Sequence, residues 1–144
     1  MFLRDLPLPG EDTMAKPKIL LVDDEPDIVE SIRFSLEPEG YEVFTAADGA
    51  EALERARELE PDLIVLDVMM PKENGYRVAK LLREDEQAKR ISKRIRIILL
   101  TARNLTSDPD REKMFMDFSQ ADAMMYKPFE IDEIIGRIHG LLGR

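Results

Sequence analysis

Five short apolar runs recur along the chain, separated by stretches with a different periodicity. The runs lie at residues 19–22, 41–46, 63–66, 95–100 and 123–126. Three of them, "ILLV", "LIVL" and "IRIILL", are nearly continuous rather than alternating. Strands buried on both faces have this pattern, which is typical of parallel sheets covered by helices. The pattern therefore predicts a five-stranded parallel sheet.

Between the runs, apolar residues recur at helical spacing. The clearest stripe lies near the C-terminus, and weaker stripes follow the first three strands. A further helix is predicted over residues 108–118, and Asp48 is a candidate N-cap. Strand and helix thus alternate five times, which predicts an α/β fold: a doubly wound (βα)5 domain with helices on both faces of the sheet. The stripes comprise Ile28, Val29, Ile32 and Leu36; Ala50, Leu53, Ala56 and Arg57; Val78, Ala79, Leu81 and Leu82; and Ile131, Ile134, Ile135, Ile138, Leu141 and Leu142.

A single domain accounts for the length of 144 residues. The first 17 residues contain Pro7, Pro9 and Pro17, and they lack the continuous apolar segment of a signal peptide. We expect a loose N-terminal extension over residues 1–17 and one domain over residues 18–144. Met14 begins the segment "MAKPK", which directly precedes the first strand, and it is an alternative start of the natural protein.

Charge and cysteine content narrow the possible partners. The chain has 21 basic and 30 acidic residues, for a net charge of −9 at pH 7. Because polyanions are bound by basic surfaces, we expect neither nucleic acid nor a membrane as a partner. No apolar run reaches the roughly 20 residues that span a bilayer. The chain has no cysteine, which excludes disulfides and thiolate chemistry and agrees with a cytoplasmic location.

The predicted strands end in residues that suit phosphoryl chemistry. Asp23 and Asp24 follow the first strand, Asp67 the third, Thr101 the fourth and Lys127 the fifth. Since the carboxyl ends of parallel strands lie at one edge of the sheet, these side chains should converge. Neighbouring carboxylates repel one another, and a hard cation such as Mg²⁺ relieves that repulsion. A metal ion and a lysine can spread the charge of a phosphoryl group while a carboxylate accepts it.

Four stretches, each at the end of a predicted strand, carry a family resemblance. They are "ILLVDDEPDI", "PDLIVLDVMMPKENGYRVAKLLRE", "IRIILLTAR" and "MYKPFEIDEIIGRI", in this order. Together they resemble the receiver domain of two-component response regulators, over roughly residues 17–142. The resemblance implies a flavodoxin-like sheet with strand order 2-1-3-4-5.

The resemblance also implies roles for individual residues. Asp67 corresponds to the phospho-acceptor, Lys127 to the lysine that pairs with it, and Thr101 to the switch hydroxyl. The Lys127–Pro128 peptide bond is usually cis in this family. Pro71 and Gly75 correspond to the turn after the acceptor.

A Mg²⁺ site is part of the same resemblance. Asp24, Asp67 and the backbone carbonyl of Met69 would ligate the ion, and Asp23 would hold it, often through water. In receivers, residues at the positions of Met69 and Arg103 flank the path of the hydrolytic water. A thioether and a guanidinium there predict slow loss of the phosphoryl group.

The chain departs from the family at several positions. Met124 stands where receivers usually carry an aromatic residue, and Tyr126 supplies an aromatic instead, which leaves the usual aromatic switch in question. The segments on both sides of the fourth strand are longer than is usual, near residues 84–93 and 104–112. We interpret the charged run 83–96 as a solvated helix end and loop, and Glu25 as a helix-start residue.

Two functions remain open. The leading hypothesis is a stand-alone phospho-acceptor switch, not an enzyme with a separate substrate, which a histidine kinase or a phosphotransfer protein phosphorylates and an unidentified downstream protein reads. The alternative is an adaptor that binds partners without phosphorylation. A flavin site is excluded because the loop "DDEPD" lacks a phosphate-binding Gly, Ser or Thr. A haloacid-dehalogenase-type phosphatase would require a second aspartate where Met69 stands.

Overall fold

Strands and helices alternate along the whole described chain. The computed structural model describes residues 16–69, 74–102 and 108–143, which contain five strands and five α-helices. Their order agrees with the predicted (βα)5 alternation, and each strand lies within two residues of its predicted bounds. The elements are β1 (Lys18–Val22), α1 (Pro26–Leu36), β2 (Glu42–Ala46), α2 (Gly49–Leu59), β3 (Leu63–Asp67), α3 (Gly75–Gln87), β4 (Arg96–Ala102), α4 (Pro109–Ser119), β5 (Ala123–Lys127) and α5 (Ile131–Leu142).

All strand pairs are parallel, and the sheet has the order β2-β1-β3-β4-β5. This confirms the predicted fold class and strand order. The chain reverses its winding direction between β1 and β3, and ligands of such sheets bind beyond the carboxyl ends of the strands at this point. The register places Asp67 beside Leu100, and Ala102 beside Lys127.

Two hydrophobic cores, one on each face of the sheet, explain the continuous apolar runs. Successive strand residues point to opposite faces. Leu20 and Ile64 belong to the core that is covered by α2, α3 and α4, whereas Leu21 and Val65 belong to the core under α1 and α5. All four side chains are buried. Because both faces are covered, no position in these strands needs to be polar.

Helix α2 confirms the predicted N-cap and corrects the predicted apolar stripe. The Asp48 carboxylate accepts a hydrogen bond of 2.9 Å from the Glu51 amide. Ala50 and Arg57 are exposed, and the buried residues of the helix are Gly49, Ala52 and Ala56. Ala56 and the partly buried Leu53, both in the predicted stripe, do pack on the core, and Gly49 and Ala52 are buried in place of Ala50 and Arg57.

The charged run 83–96 is solvated only in part: Arg90, Lys93 and Arg94 are exposed, as expected, but Arg83 and Asp85 are buried. The side chain of Arg83 is only 5% exposed. It contacts Glu86 at 2.8 Å and Asp122 at 2.9 Å, and it donates to the backbone carbonyls of Ile95 and Gln120. The longer α3–β4 connection is thereby attached to the amino-terminal edge of the sheet, opposite the predicted site.

Some expectations lie outside the described residues: those for Met14, Pro71 and Arg103, and for nearly all of the N-terminal extension. Within the described residues, no helix is long and apolar enough to cross a membrane.

The Arg83 network generates a stability prediction. Replacing Arg83 with Met leaves two poorly solvated carboxylates without this partner, so we expect the free energy of unfolding to fall by about 3 kcal/mol. The matched control is Arg33→Met, because Arg33 is 37% exposed and pairs with Glu30 and Glu37 on the surface of α1. Its cost should stay below about 1 kcal/mol. Urea unfolding measures both, and equal losses would contradict a buried network.

Candidate functional site

The carboxyl edge of the sheet brings together four of the predicted site residues. Asp67 is the last residue of β3 and Lys127 the last residue of β5, while Asp23 and Asp24 directly follow β1. Asp23 and Asp67 are buried, whereas Asp24 is exposed. The predicted convergence is therefore present, with two carboxylates inside the rim and one facing solvent.

Lys127 lies at the centre of this cluster. Its Nζ atom is 3.0 Å from Asp23 Oδ2, 3.2 Å from Asp67 Oδ2 and 3.0 Å from Glu25 Oε1. Burial alone lowers the pKa of Lys127, but hydrogen bonds and attraction from these carboxylates outweigh burial and raise the pKa. The ammonium group therefore stays charged and holds the ends of β1, β3 and β5 together.

At Asp67, in contrast, the surroundings disfavour the charged form of the side chain. Its Oδ1 accepts a hydrogen bond of 3.1 Å from the Met69 amide, and its side chain is 5% exposed. Burial raises the pKa of Asp67 and the nearby Asp23 charge raises it further, to about 6, because Lys127 and the Met69 amide offset these effects only in part. Without another cation at the rim, the charged form of this carboxylate is destabilised.

Four carboxylates are arranged as a candidate metal site. Asp23, Asp24, Glu25 and Asp67 each offer an oxygen, and these oxygens all lie within 4.8 Å of one another. Such a donor set suits a hard divalent cation. Glu25 also contacts Lys127, so our interpretation of Glu25 as only a helix-start residue was incomplete. The position of Glu25 beside the Asp23–Asp24 pair was the only sequence signal of a role at the site. Its contact with Lys127, 102 positions away, is formed only in the folded chain.

Thr101 and Met69 lie at the same edge, but their side chains do not join the charged cluster. Thr101 is completely buried, and its hydroxyl makes no hydrogen bond with any described residue. It pairs with Tyr126 in the β4–β5 register. The Met69 side chain is 60% exposed. Both side chains are thus beside the candidate site rather than bonded into it.

Two sequence features that the resemblance singled out are present in the backbone at the site. A Cβ atom on Gly75 would lie 2.7 Å from the carbonyl oxygen of Asp67, so only glycine allows α3 to begin this close to the end of β3. The Gly75 amide also donates to the carbonyl of Val68 at 3.1 Å. The Lys127–Pro128 bond is cis, as expected.

The region around the expected aromatic switch differs from the usual family arrangement. Met124 is partly buried and packs against the core under α2, α3 and α4. The Tyr126 hydroxyl donates a hydrogen bond to the Glu112 carboxylate. The aromatic residue of β5 is therefore attached to α4, a contact that the sequence did not reveal because the two residues are 14 positions apart in different elements.

The raised pKa of Asp67 generates a pH-dependent stability prediction. Protonation of Asp67 favours the folded state, and this stability is lost as the pH rises from about 4 to about 6. In EDTA at pH 7 we expect Asp67→Asn to raise the free energy of unfolding by about 1–3 kcal/mol. The advantage should shrink towards pH 4. Urea unfolding across this pH range measures it.

The control for that prediction is Asp62→Asn, which changes an aspartate just before the opposite end of β3. Asp62 forms an ion pair with Lys93 and accepts a hydrogen bond from the Lys18 amide, so its substitution should not stabilise the protein. An advantage of Asp67→Asn that grows as the pH falls would contradict the electrostatic argument.

Curated proteins of similar sequence align with most of this chain. The alkaline phosphatase synthesis transcriptional regulatory protein PhoP of Bacillus subtilis is 42% identical over 127 residues, which cover 88% of this chain and 49% of PhoP. The DNA-binding response regulator MtrA of Mycolicibacterium smegmatis is 37% identical over 133 residues, which cover 92% of this chain and 53% of MtrA. The chain therefore spans about half the length of these relatives.

The relatives correct one expectation about partners. We expected no nucleic acid as a partner, and this is wrong, because the similar proteins include regulators described as DNA-binding. The relatives likewise do not support the stand-alone hypothesis. The physical reason is that the net charge of −9 is a property of these 144 residues, whereas the relatives are about twice as long and include residues that the match does not cover.

A solved structure and a family profile agree with the fold. The structure of the response regulator protein TrrA of Thermotoga maritima, described as a complex with Mg²⁺-BeF, has a TM-score of 0.70 and 35% identity to this chain. The match covers 87% of this chain and 98% of TrrA. The profile of the response regulator receiver domain matches residues 19–139. The chain that brings Asp23, Asp67 and Lys127 together at the rim of this sheet belongs to the response regulator receiver domain family.

Proposed function

We propose that this chain is a cytoplasmic phosphorylation switch in which Asp67 accepts a phosphoryl group from a histidine kinase or a phosphotransfer protein. The reaction depends on Mg²⁺, and the resulting conformation is read by a partner protein. The observation that carries this proposal is the position of Asp67 itself. Its carboxylate is held by Lys127 at 3.2 Å, stands within a group of four carboxylates and lies at the open carboxyl edge of the sheet.

The chemistry is the transfer of one phosphoryl group between two nucleophiles. A carboxylate oxygen of Asp67 forms a bond to phosphorus while the bond from phosphorus to the donor atom breaks. The electron pair of the broken bond stays with the leaving group, which is an imidazole when the donor is a phosphohistidine. The product is an aspartyl phosphate, and its hydrolysis returns the carboxylate and inorganic phosphate.

The acidic cluster supports the choice of metal. Carboxylate oxygens are preferred ligands of Mg²⁺, and Asp23, Asp24, Glu25 and Asp67 present them within one small volume. When bound, Mg²⁺ would neutralise charge on the acceptor and on the transferred group. Asp24 is exposed and can ligate an ion that arrives from solvent together with the phosphodonor.

Lys127 and Thr101 are suited to hold the product. Lys127 already contacts Oδ2 of the acceptor, so its ammonium can follow the added negative charge. The buried Thr101 hydroxyl has no hydrogen-bond partner among the described residues and can donate to a phosphoryl oxygen. Since Tyr126 pairs with Thr101 and bonds Glu112 of α4, movement at Thr101 would be transmitted to that helix.

In this proposal the chain is not an enzyme with a separate substrate. Its rim residues promote only the phosphorylation and dephosphorylation of Asp67, and the output is a shift between two conformations. The adaptor alternative remains the outcome if the acceptor cannot be phosphorylated.

The direct test is phosphorylation by a small donor. Incubation with acetyl phosphate and Mg²⁺ should add one phosphoryl group, detected by intact-protein mass spectrometry, and EDTA should prevent it. Asp67→Asn should abolish the addition, whereas Asp62→Asn, at the opposite end of β3, should retain it. Equal labelling of the Asp67→Asn variant, or no labelling of the parent, would reject the proposal.

Metal binding has its own test, which needs no phosphodonor. Because Mg²⁺ relieves repulsion that exists only in the folded state, we expect it to stabilise the protein by about 2.7 kcal/mol at a hundredfold excess over Kd. Thermal unfolding with and without Mg²⁺ measures this shift. Asp24→Asn should remove most of it, and Asp27→Asn, an exposed aspartate in the first turn of α1, should keep it. A melting temperature that Mg²⁺ leaves unchanged would disprove the metal site.

A further inference from the structure

A groove between α3 and α4 lies apart from the acidic cluster. It has a volume of about 430 Å³. The rings of Tyr76 and Phe115 stack at a centroid distance of 4.3 Å, with only 10° between their planes. We call this the α3–α4 groove, and its lining residues are Asn74, Tyr76, Arg77, Met114, Phe115 and Phe118.

The α3–α4 groove exposes apolar surface. Met114 is 58% exposed and Phe118 is 44% exposed. They are four positions apart on α4, so they lie on one face of the helix. In the described part of the chain only two other large apolar side chains are exposed, Phe34 and Met69. Exposed apolar side chains grouped in this way mark interaction sites in soluble proteins.

Positive charges surround the same apolar surface. The Lys80 ammonium lies 4.8 Å from the centre of the Phe118 ring, and the Arg111 guanidinium lies 5.9 Å from the centre of the Phe115 ring. Neither cation forms an ion pair with any described residue. Lys113, in contrast, lies on α4, as Arg111 does, but it does not line the groove. It forms an ion pair with Asp117 at 3.2 Å.

The combination is unusual for a chain with a net charge of −9. Arg77 also lines the groove, so three basic residues accompany the aromatic floor. Cations above aromatic rings are attracted by the rings, but an incoming carboxylate offers them a stronger, charge-assisted contact. The groove is therefore complementary to a ligand that is both apolar and acidic.

We propose that the α3–α4 groove binds an acidic amphipathic segment of a partner protein. Two apolar side chains one helical turn apart would pack on Met114, Phe115 and Phe118, and carboxylates beside them would contact Lys80 and Arg111. A second copy of this chain fits less well, because a symmetric contact through this face would place its own cations opposite each other. The groove is present without phosphorylation of Asp67, so its test omits both Mg²⁺ and a phosphodonor.

A designed pair of peptides tests the proposal. One peptide carries leucine, phenylalanine and one tryptophan on one helical face and glutamate on the other, and its counterpart has lysine at every glutamate position. The chain contains no Trp, so tryptophan emission reports the peptide alone. We expect the glutamate peptide to bind about tenfold more tightly than the lysine peptide, although the overall charge of the protein favours the lysine peptide. Added salt should weaken this binding.

Variants locate the binding surface. Met114→Ser with Phe118→Ser should weaken binding of the glutamate peptide about tenfold or more. Lys80→Glu with Arg111→Glu should abolish or reverse the preference for the glutamate peptide. The matched controls are Phe34→Ser, at an apolar position on α1 that is 71% exposed, and Lys113→Glu, a charge reversal elsewhere on α4. Both should bind like the parent, and all these substitutions change exposed or half-exposed side chains, so the melting temperature can verify folding.

Three results would overturn the proposal. One is equal or tighter binding of the lysine peptide by the parent protein. Another is binding that Met114→Ser with Phe118→Ser leaves unchanged. The third is a concentration-dependent dimer, measured by light scattering, that the same double substitution dissolves, because the groove would then be covered by a second copy of the chain.

Discussion

The buried carboxylates of Asp23 and Asp67 share the single ammonium group of Lys127, and the electrostatics of the candidate site depend on this excess of negative charge. Lys127 contacts Asp23, Asp67 and Glu25, yet burial and the charge of Asp23 still raise the pKa of Asp67. A protein without a ligand here would gain stability from fewer carboxylates. The retained repulsion is consistent with a site that is completed by a cation and a phosphoryl group.

The sheet makes this arrangement possible because its core is apolar on both faces. Strand β1 is apolar and buried from Ile19 to Val22, and β3 is apolar and buried from Leu63 to Leu66. The next residues, Asp23 and Asp67, are charged. At the same rim, α3 begins at Gly75, close to the carbonyl of Asp67, and the peptide bond before Pro128 is cis. The rigid body of the sheet thus holds side chains from distant parts of the sequence within hydrogen-bond distance of one another.

Charge is distributed differently on the other surfaces. At the amino-terminal edge, Arg83 and Asp122 belong to a satisfied network that stabilises the long α3–β4 connection. In the α3–α4 groove, Lys80 and Arg111 lie over aromatic rings and form no ion pair within the part of the chain that the structure describes. The three regions therefore differ in charge balance: carboxylates outnumber the Lys127 ammonium at the acidic rim, basic side chains accompany aromatic rings in the groove, and opposite charges are paired in the Arg83 network.

The sequence by itself determined the alternation of elements, the fold class and the predicted site residues Asp23, Asp24, Asp67 and Lys127, because buried strands and strand ends leave local signals. Only the tertiary structure decided the contacts of Glu25, the burial of Arg83 and the bond between Tyr126 and Glu112. Each of these joins residues from different elements, and the polarity of a side chain does not reveal which distant group it meets. The same holds in part for α2: Ala56 of the predicted stripe is buried, but the buried face also includes Gly49 and Ala52 rather than Ala50 and Arg57, because the helix packs on the sheet through small residues.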